Sequence, residues 1–243
     1  VTLRDELDGV ADATLAALRS ADHLTPATAR PEHASHVGAM GDAALTWTTE
    51  TWHGRDALEL VRIARVDGDA MSSITVLAYP RPERGAAILG ADLVGFGGRL
   101  TFVAFDLVPT ARPLAAGAGA LLERARAQLD GTGTARPAEG PFSQAAALRA
   151  IDRGADPSLV AGAYLRYLDG FLAELARPPS TKVSDGLQAR ARWARTMAEH
   201  MRAVAPLRKL FGGDWIDRYF ATFFLAPSST AALPSTTHHQ EAS

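Results

Sequence analysis

A chain of 243 residues, 47% apolar and 21% charged, has the composition of an ordinary soluble globular protein, enough for one large domain or two small ones. Its net charge of −2 gives no ground for a nucleic-acid partner, and the lack of cysteine removes disulfides, thiolate nucleophiles, Cys-ligated zinc and any iron–sulfur cluster held by this chain. No apolar run approaches a membrane span and the charged, amphipathic start is unlike a signal peptide, so a cytoplasmic protein away from membranes is expected.

The first stretch, "VTLRDELDGVADATLAALRS", places Leu3, Leu7, Val10, Leu15 and Leu18 near helical spacing with acids toward its start, which predicts an amphipathic helix. A link containing proline and histidine follows from Asp22 to Gly38. Five segments of strand character come next: "ALTWTTETWH", "ALELVRIARVD", "SSITVLAYP", "AAILGADLVGF" and "RLTFVAFDLVP". Turn signals such as Asp67-Gly68-Asp69 and Gly97-Gly98 separate them. Connections this short forbid a parallel return, so the prediction is an antiparallel meander.

After Pro109 the pattern turns helical. "LAAGAGALLERARAQL" (Leu114 to Leu129) leads through a Gly/Thr/Pro loop to Pro141, and another helix starts at an N-cap Asp156 with Pro157 in its first turn. "SDGLQARARWARTMAEHMRAV" is predicted to end at Pro206. "DWIDRYFATFF" is predicted to be a last helix capped by Asp214, with Trp215, Tyr219 and Phe223 on one face. The Ser/Thr/Pro-rich residues 227–243 are expected to form a disordered tail. The order of elements implies a single α/β domain over residues 1–226, one sheet covered by helices, without the βαβ alternation of a Rossmann fold.

One residue breaks the apolar strand pattern. Asp92 sits mid-strand, where a buried carboxylate is costly unless something pairs with it. Asp106 also lies inside a strand, near the turn before Pro109, and reads as structural, tying the strand end to backbone N–H groups. Phosphate loops, a G-x-S-x-G elbow and H-E-x-x-H are all absent. The histidines are scattered. His238-His239 lack a rigid third ligand nearby, so no metal site is predicted.

Two segments carry a resemblance. Tyr79-Pro80, then Leu89-Gly90-Ala91-Asp92-Leu93-Val94, a glycine turn and Asp106-Leu107-Val108-Pro109 resemble the centre of the ferredoxin-dependent bilin reductases, the family of the phycocyanobilin-forming enzymes. "LRKLFGGDWIDRYFATFFL" (Leu207 to Leu225) is similar to that family's C-terminal signature, and "FSQAA" at Phe142 to a weaker landmark. The likeness runs in order from about Ala43 to Leu225.

The resemblance implies a three-layer α/β/α sandwich whose central antiparallel sheet holds a linear tetrapyrrole against one layer of helices. It implies reduction of biliverdin or a related bilin, with electrons taken singly from ferredoxin, protons from the protein, and no cofactor bound by the chain. Asp92 matches the aspartate that protonates the bilin. On its strand it shares a face with Ile88, Gly90 and Val94, and Gly90 leaves space for a flat ligand. Partial burial under such a ligand would let Asp92 hold a proton at neutral pH. The plainer alternative is a strand-end carboxylate bonding a turn.

Three departures stand out. Thr75 occupies the position of a catalytic histidine, and Arg62 falls at or next to that of a glutamate. Members without that pair perform a single two-electron reduction, and this is the expected reaction. Met201 stands where relatives show a second aspartate, beside His200, which is the candidate replacement donor; a surface helix histidine is the other reading. Arg62, Thr75, Gly90 and Met201 are thus expected at the substrate, with Asp92 and His200 catalytic. Basic residues from Lys182 to Lys209 suit an acidic ferredoxin and the bilin propionates, although a solvated helix face has the same composition. The rival functions are a red chlorophyll catabolite reductase-like enzyme and a bilin-binding protein without catalysis.

Overall fold

The computed structural model describes residues 2–225 apart from 29, 180–182 and 203, so the expected tail from Pro227 lies outside the described residues. Helix α1 (Leu3–Ala21) opens on a capping box, in which the Thr2 side chain accepts the Asp5 N–H while the Asp5 carboxylate receives the Thr2 N–H. Its Leu3, Leu7, Val10, Leu15 and Leu18 are all buried, as their spacing predicts. Where a plain link was expected, two short strands appear, β1 (Leu24–Ala27) and β2 (Ser35–Met40), around a single helical turn α2 (Pro31–Ala34). Both pair with β3 (Ala43–Gly54), whose twelve residues are long enough to take one partner at each end.

From β3 the predicted meander continues through β4 (Leu58–Asp67), β5 (Met71–Pro80), β6 (Ile88–Phe96) and β7 (Arg99–Val108), every neighbouring pair antiparallel. Gly97 and Gly98 turn the β6–β7 hairpin with φ of 56° and 73°, the left-handed backbone that a two-residue turn requires. After α3 (Ala116–Leu129), two strands that the sequence pattern did not reveal, β8 (Gly133–Arg136) and β9 (Ala147–Ile151), extend the sheet beyond β7. The described strands lie in the order β1-β3-β4-β5-β6-β7-β9-β8, with β2 beside β3.

Helix α4 (Pro157–Leu175) starts as expected, with Asp156 accepting the Ser158 N–H. The C-terminal helices differ in detail. α5 (Val183–Arg202) stops short of Pro206, which instead lies in the first turn of a further helix, α6 (Ala205–Phe211). That placement suits a residue with no N–H to bond. α7 (Gly213–Arg218) is capped by Gly212 rather than Asp214, and the chain then widens into a π-helical turn, Tyr219–Phe224. The predicted aromatic face survives: Trp215 stacks on Tyr219 at 4.6 Å, and Tyr219 meets Phe223 at 5.6 Å.

Strand alternation distributes the core. Val61, Ile63, Ile74, Val76, Leu89 and Phe105 pack with α1, α3 and α4 in one cluster. Leu60, Ala64, Leu77, Tyr79 and Ile88 pack with α5, α6, α7 and the π turn in the other. The result is the expected three-layer α/β/α sandwich on an antiparallel sheet. Asp22 pins the start of the meander, its buried carboxylate accepting N–H groups from Asp56, Ala57 and Leu58 at 2.7–2.9 Å. Among the described residues no helix is long and apolar enough to cross a membrane.

Candidate active site

Register builds the floor of the site. Thr75, Asp92 and Ala104 form one row across β5, β6 and β7, and Leu77, Gly90 and Asp106 form the next. Alternation turns both rows toward α5 and the π turn. Trp193, Met197 and Met201 of α5, with Phe220 and Phe224, roof a cleft over these rows. Its outer lobe, bounded by Trp47, Phe102, His200 and Leu207, encloses about 440 Å³, within the range of small-molecule sites. The inner lobe reaches Gly90 and Asp106. Thr75, Asp92 and Met201 border both lobes. Apolar walls with a few convergent polar groups are what a large, flat, mostly apolar ligand needs.

Asp92 is the carboxylate common to both lobes. It is half-buried, and Thr75 Oγ1 donates to its Oδ1 at 2.6 Å. Burial pushes the carboxyl up from its ordinary 3.8 to about 6, because an ion there has lost water; the Thr75 bond pulls the other way and loses. Beside it Gly90 leaves an opening, since a Cβ at that position would meet nothing within 4 Å. The expected space for a ligand is present.

Met201 lies on the roof and Thr75 on the floor of the cleft. His200 lines the outer lobe, exposed, with its ring edge-on to Phe142 at 5.5 Å. Arg62 does not join them. Its row position beside Leu77 carries it one strand beyond the floor, under the π turn. There its guanidinium donates to the carbonyl oxygens of Phe223 and, at 2.8 Å, Phe224, and lies 4.4 Å from the centre of the Phe223 ring. Burial lowers its pKa to about 10. Tyr79 gives its hydroxyl to the Leu225 carbonyl at 2.7 Å, so strand side chains hold the turn that roofs the cleft.

The basic run divides. Arg192 and Arg195 are exposed, whereas Arg190 turns inward to pair with Glu59 at 2.7 Å and to face the Tyr79 ring. Lys182 lies outside the described residues. Asp106 receives the Ser143 N–H at 2.8 Å, the backbone tie expected of it, but it also borders the inner lobe. Sequence reasoning did not foresee the roof aromatics Trp193, Phe220 and Phe224 as cleft walls; the aromatic face it marked was that of Trp215, Tyr219 and Phe223.

A model of the ferredoxin-dependent bilin reductase family matches residues 11–225. No curated protein matches. Among solved structures, tomato phytochromobilin synthase in complex with biliverdin is similar with a TM-score of 0.70 at 14% identity, over 90% of this chain and 82% of that one. The structure of PcyX is similar with a TM-score of 0.55, also at 14% identity, over 90% of this chain and 97% of that one.

Proposed function

This chain belongs to the ferredoxin-dependent bilin reductases, and from that premise we propose that it reduces biliverdin or a closely related bilin by two electrons, with Asp92 as the central proton donor. The observation that carries the reading is the half-buried Asp92 carboxyl on the floor of an apolar cleft, held by Thr75 and raised to about 6. A carboxyl in that state is protonated often enough near neutrality to give up a proton, and its conjugate base is stable enough to let it go. The tetrapyrrole would lie along the cleft between the β5–β7 floor and the methionines of α5. There the apolar walls exclude water, and Gly90 allows close approach to the sheet. Ferredoxin supplies electrons one at a time. His200 at the outer lobe is a second candidate for returning protons from solvent.

Thr75 supports the two-electron limit. A threonine hydroxyl does not titrate in the working range, so this floor position contributes no second acid of the histidine type. The test is to bind biliverdin, record its spectrum, then add a ferredoxin reducing system without oxygen. Conversion to a single dihydrobilin-level product supports the reading. A bound spectrum that never changes under reduction would mark a bilin-binding protein, and a four-electron product would remove the two-electron limit.

A further inference from the structure

A two-electron reduction consumes two protons, and the floor of the cleft holds two acids. Asp106 lies on the same sheet face as Asp92, displaced by one strand and one row: Asp92 pairs with Ala104, and Gly90 pairs with Asp106. Diagonal neighbours of this kind stand about 7–8 Å apart. The residue between them is Gly90, which has no side chain to fill the gap, so the inner lobe opens between the two carboxyls. We propose that Asp106 is a second proton donor to the substrate, serving a different atom of the tetrapyrrole from the one that Asp92 serves. The proposal rests on the bilin-reductase reading above.

The surroundings of Asp106 suit a group that gives up and regains a proton. Oδ2 accepts the Ser143 N–H at 2.8 Å and Oδ1 accepts the Ser143 hydroxyl. The same hydroxyl lies 3.3 Å from the Leu107 carbonyl. It can therefore donate to Asp106 when that carboxyl is ionised and turn to Leu107 when it is protonated, so both states keep a bonded neighbour. Asp106 is buried and Ser143 half-buried, so the Ser143 side is the shorter way from this carboxyl to solvent. Burial lifts Asp106 from 3.8 to about 6 against the Ser143 bonds. Diagonal placement keeps the two carboxyls too far apart to share one proton, so they act as separate acids.

The step balances. Two reduced ferredoxins each give one electron, and Asp92 and Asp106 each give one proton. One carbon–carbon double bond of the bilin becomes single with two new C–H bonds, or their tautomeric equivalent, leaving two carboxylates that solvent reprotonates.

The test uses Asp106→Asn and Asp106→Glu in the full chain, beside wild type, with biliverdin and reduced ferredoxin under anaerobic conditions. The amide oxygen of asparagine still accepts the Ser143 N–H, so the bilin absorption spectrum of the complex should be retained. Turnover should fall by about 100-fold, the usual contribution of a positioned acid. A one-electron-reduced bilin radical should persist in electron paramagnetic resonance at least ten times longer than in wild type. Glutamate, an acid with a displaced head, should restore part of the rate. A hydrogen-bond anchor would show the reverse order, because asparagine preserves the bonds better than glutamate. Wild-type turnover in Asp106→Asn, or rescue absent in Asp106→Glu while both bind bilin, overturns the proposal and leaves the function intact. So does loss of bilin binding in both variants, the behaviour of a scaffold residue. A wild-type chain that does not reduce the bilin removes the functional reading itself, and this proposal with it.

Discussion

Thr75 donates its hydroxyl to Asp92 at 2.6 Å across the β5–β6 pair, the only charged side chain in its row of the cleft floor. The bond favours the ionised carboxylate, while burial opposes it. Substitution at either end therefore moves a proton affinity in a direction that can be stated beforehand.

Replacing Asp92 by asparagine should leave biliverdin binding within about threefold and lower turnover by about 100-fold or more. It should also stabilise the protein at pH 8. The folded carboxyl titrates near 6 and the unfolded one near 3.8, so the neutral form is favoured by folding and ionisation costs stability as pH rises through 6. The bound for that cost is about 3 kcal/mol. Thermal melts of the two proteins should coincide below pH 4, draw apart between pH 4 and 6, and keep a constant separation above that. Equal melts across that range would remove the shifted pKa.

Thr75→Val keeps the β-branched shape and deletes the donor. Asp92 should then hold its proton to higher pH. The alkaline limb of the pH–rate profile, expected at or above 6 in wild type, should move upward in the variant. An unmoved limb would mean that Asp92 does not govern it.

Asp22→Ala strips a buried acceptor from three N–H groups at the β3–β4 turn. The loss should be about 2–4 kcal/mol in denaturant unfolding, with the bilin spectrum unaltered. Burial raises this carboxyl but the backbone N–H groups lower it more, so its folded pKa lies below 3.8. Its contribution is complete above the unfolded pKa and disappears as pH falls through the folded one. The difference between variant and wild type should accordingly shrink only in strong acid.

Arg62→Met retains the apolar stem and frees the Phe223 and Phe224 carbonyls. Because burial already taxes the guanidinium, the net stability cost should be modest, about 1–2 kcal/mol. Bilin affinity should fall by about tenfold, through a loosened π turn. A variant that binds bilin as wild type does would show that the turn needs no tether.

Arg192→Glu with Arg195→Glu reverses two exposed charges on α5. Ferredoxin-driven turnover should drop and lose its salt dependence, since such charges are screened within about 10 Å at 0.1 M salt. Bilin affinity should change little. Turnover indifferent to both salt and charge reversal would make the patch a solvated surface.

The long strands were legible because alternation persists over ten residues or so, and Asp92 was legible because a carboxylate interrupts it. The short strands β1, β2, β8 and β9 carry too few residues to show a period; they exist by pairing with longer neighbours. The place of Arg62 under the π turn, outside the cleft lining, was not legible because its row position cannot be known without the turn that covers it. Asp106 was hidden by geometry. Counting back from the Gly97-Gly98 turn in an even hairpin puts Val103, not Ala104, opposite Asp92, and sends Asp106 to the far face. The irregularity between Val94 and Gly95 shifts the pairing by one and brings Asp106 round to the cleft. A bulge of that kind leaves no mark in the hydrophobic pattern.

Floor and roof of the cleft obey different mechanical rules. The floor is locked by ladders on both sides of β6, so each acid's position is set by the whole sheet. The roof is made of Met197 and Met201 on α5, Leu207 on α6 and Phe220 on the π turn, side chains that can be exchanged without disturbing a single strand hydrogen bond. Under the proposed function, such a division would keep the proton donors fixed while the groups held over them vary. On that reading, which ring of a tetrapyrrole meets the aspartates would be set by a handful of helix positions, with the sheet left unchanged.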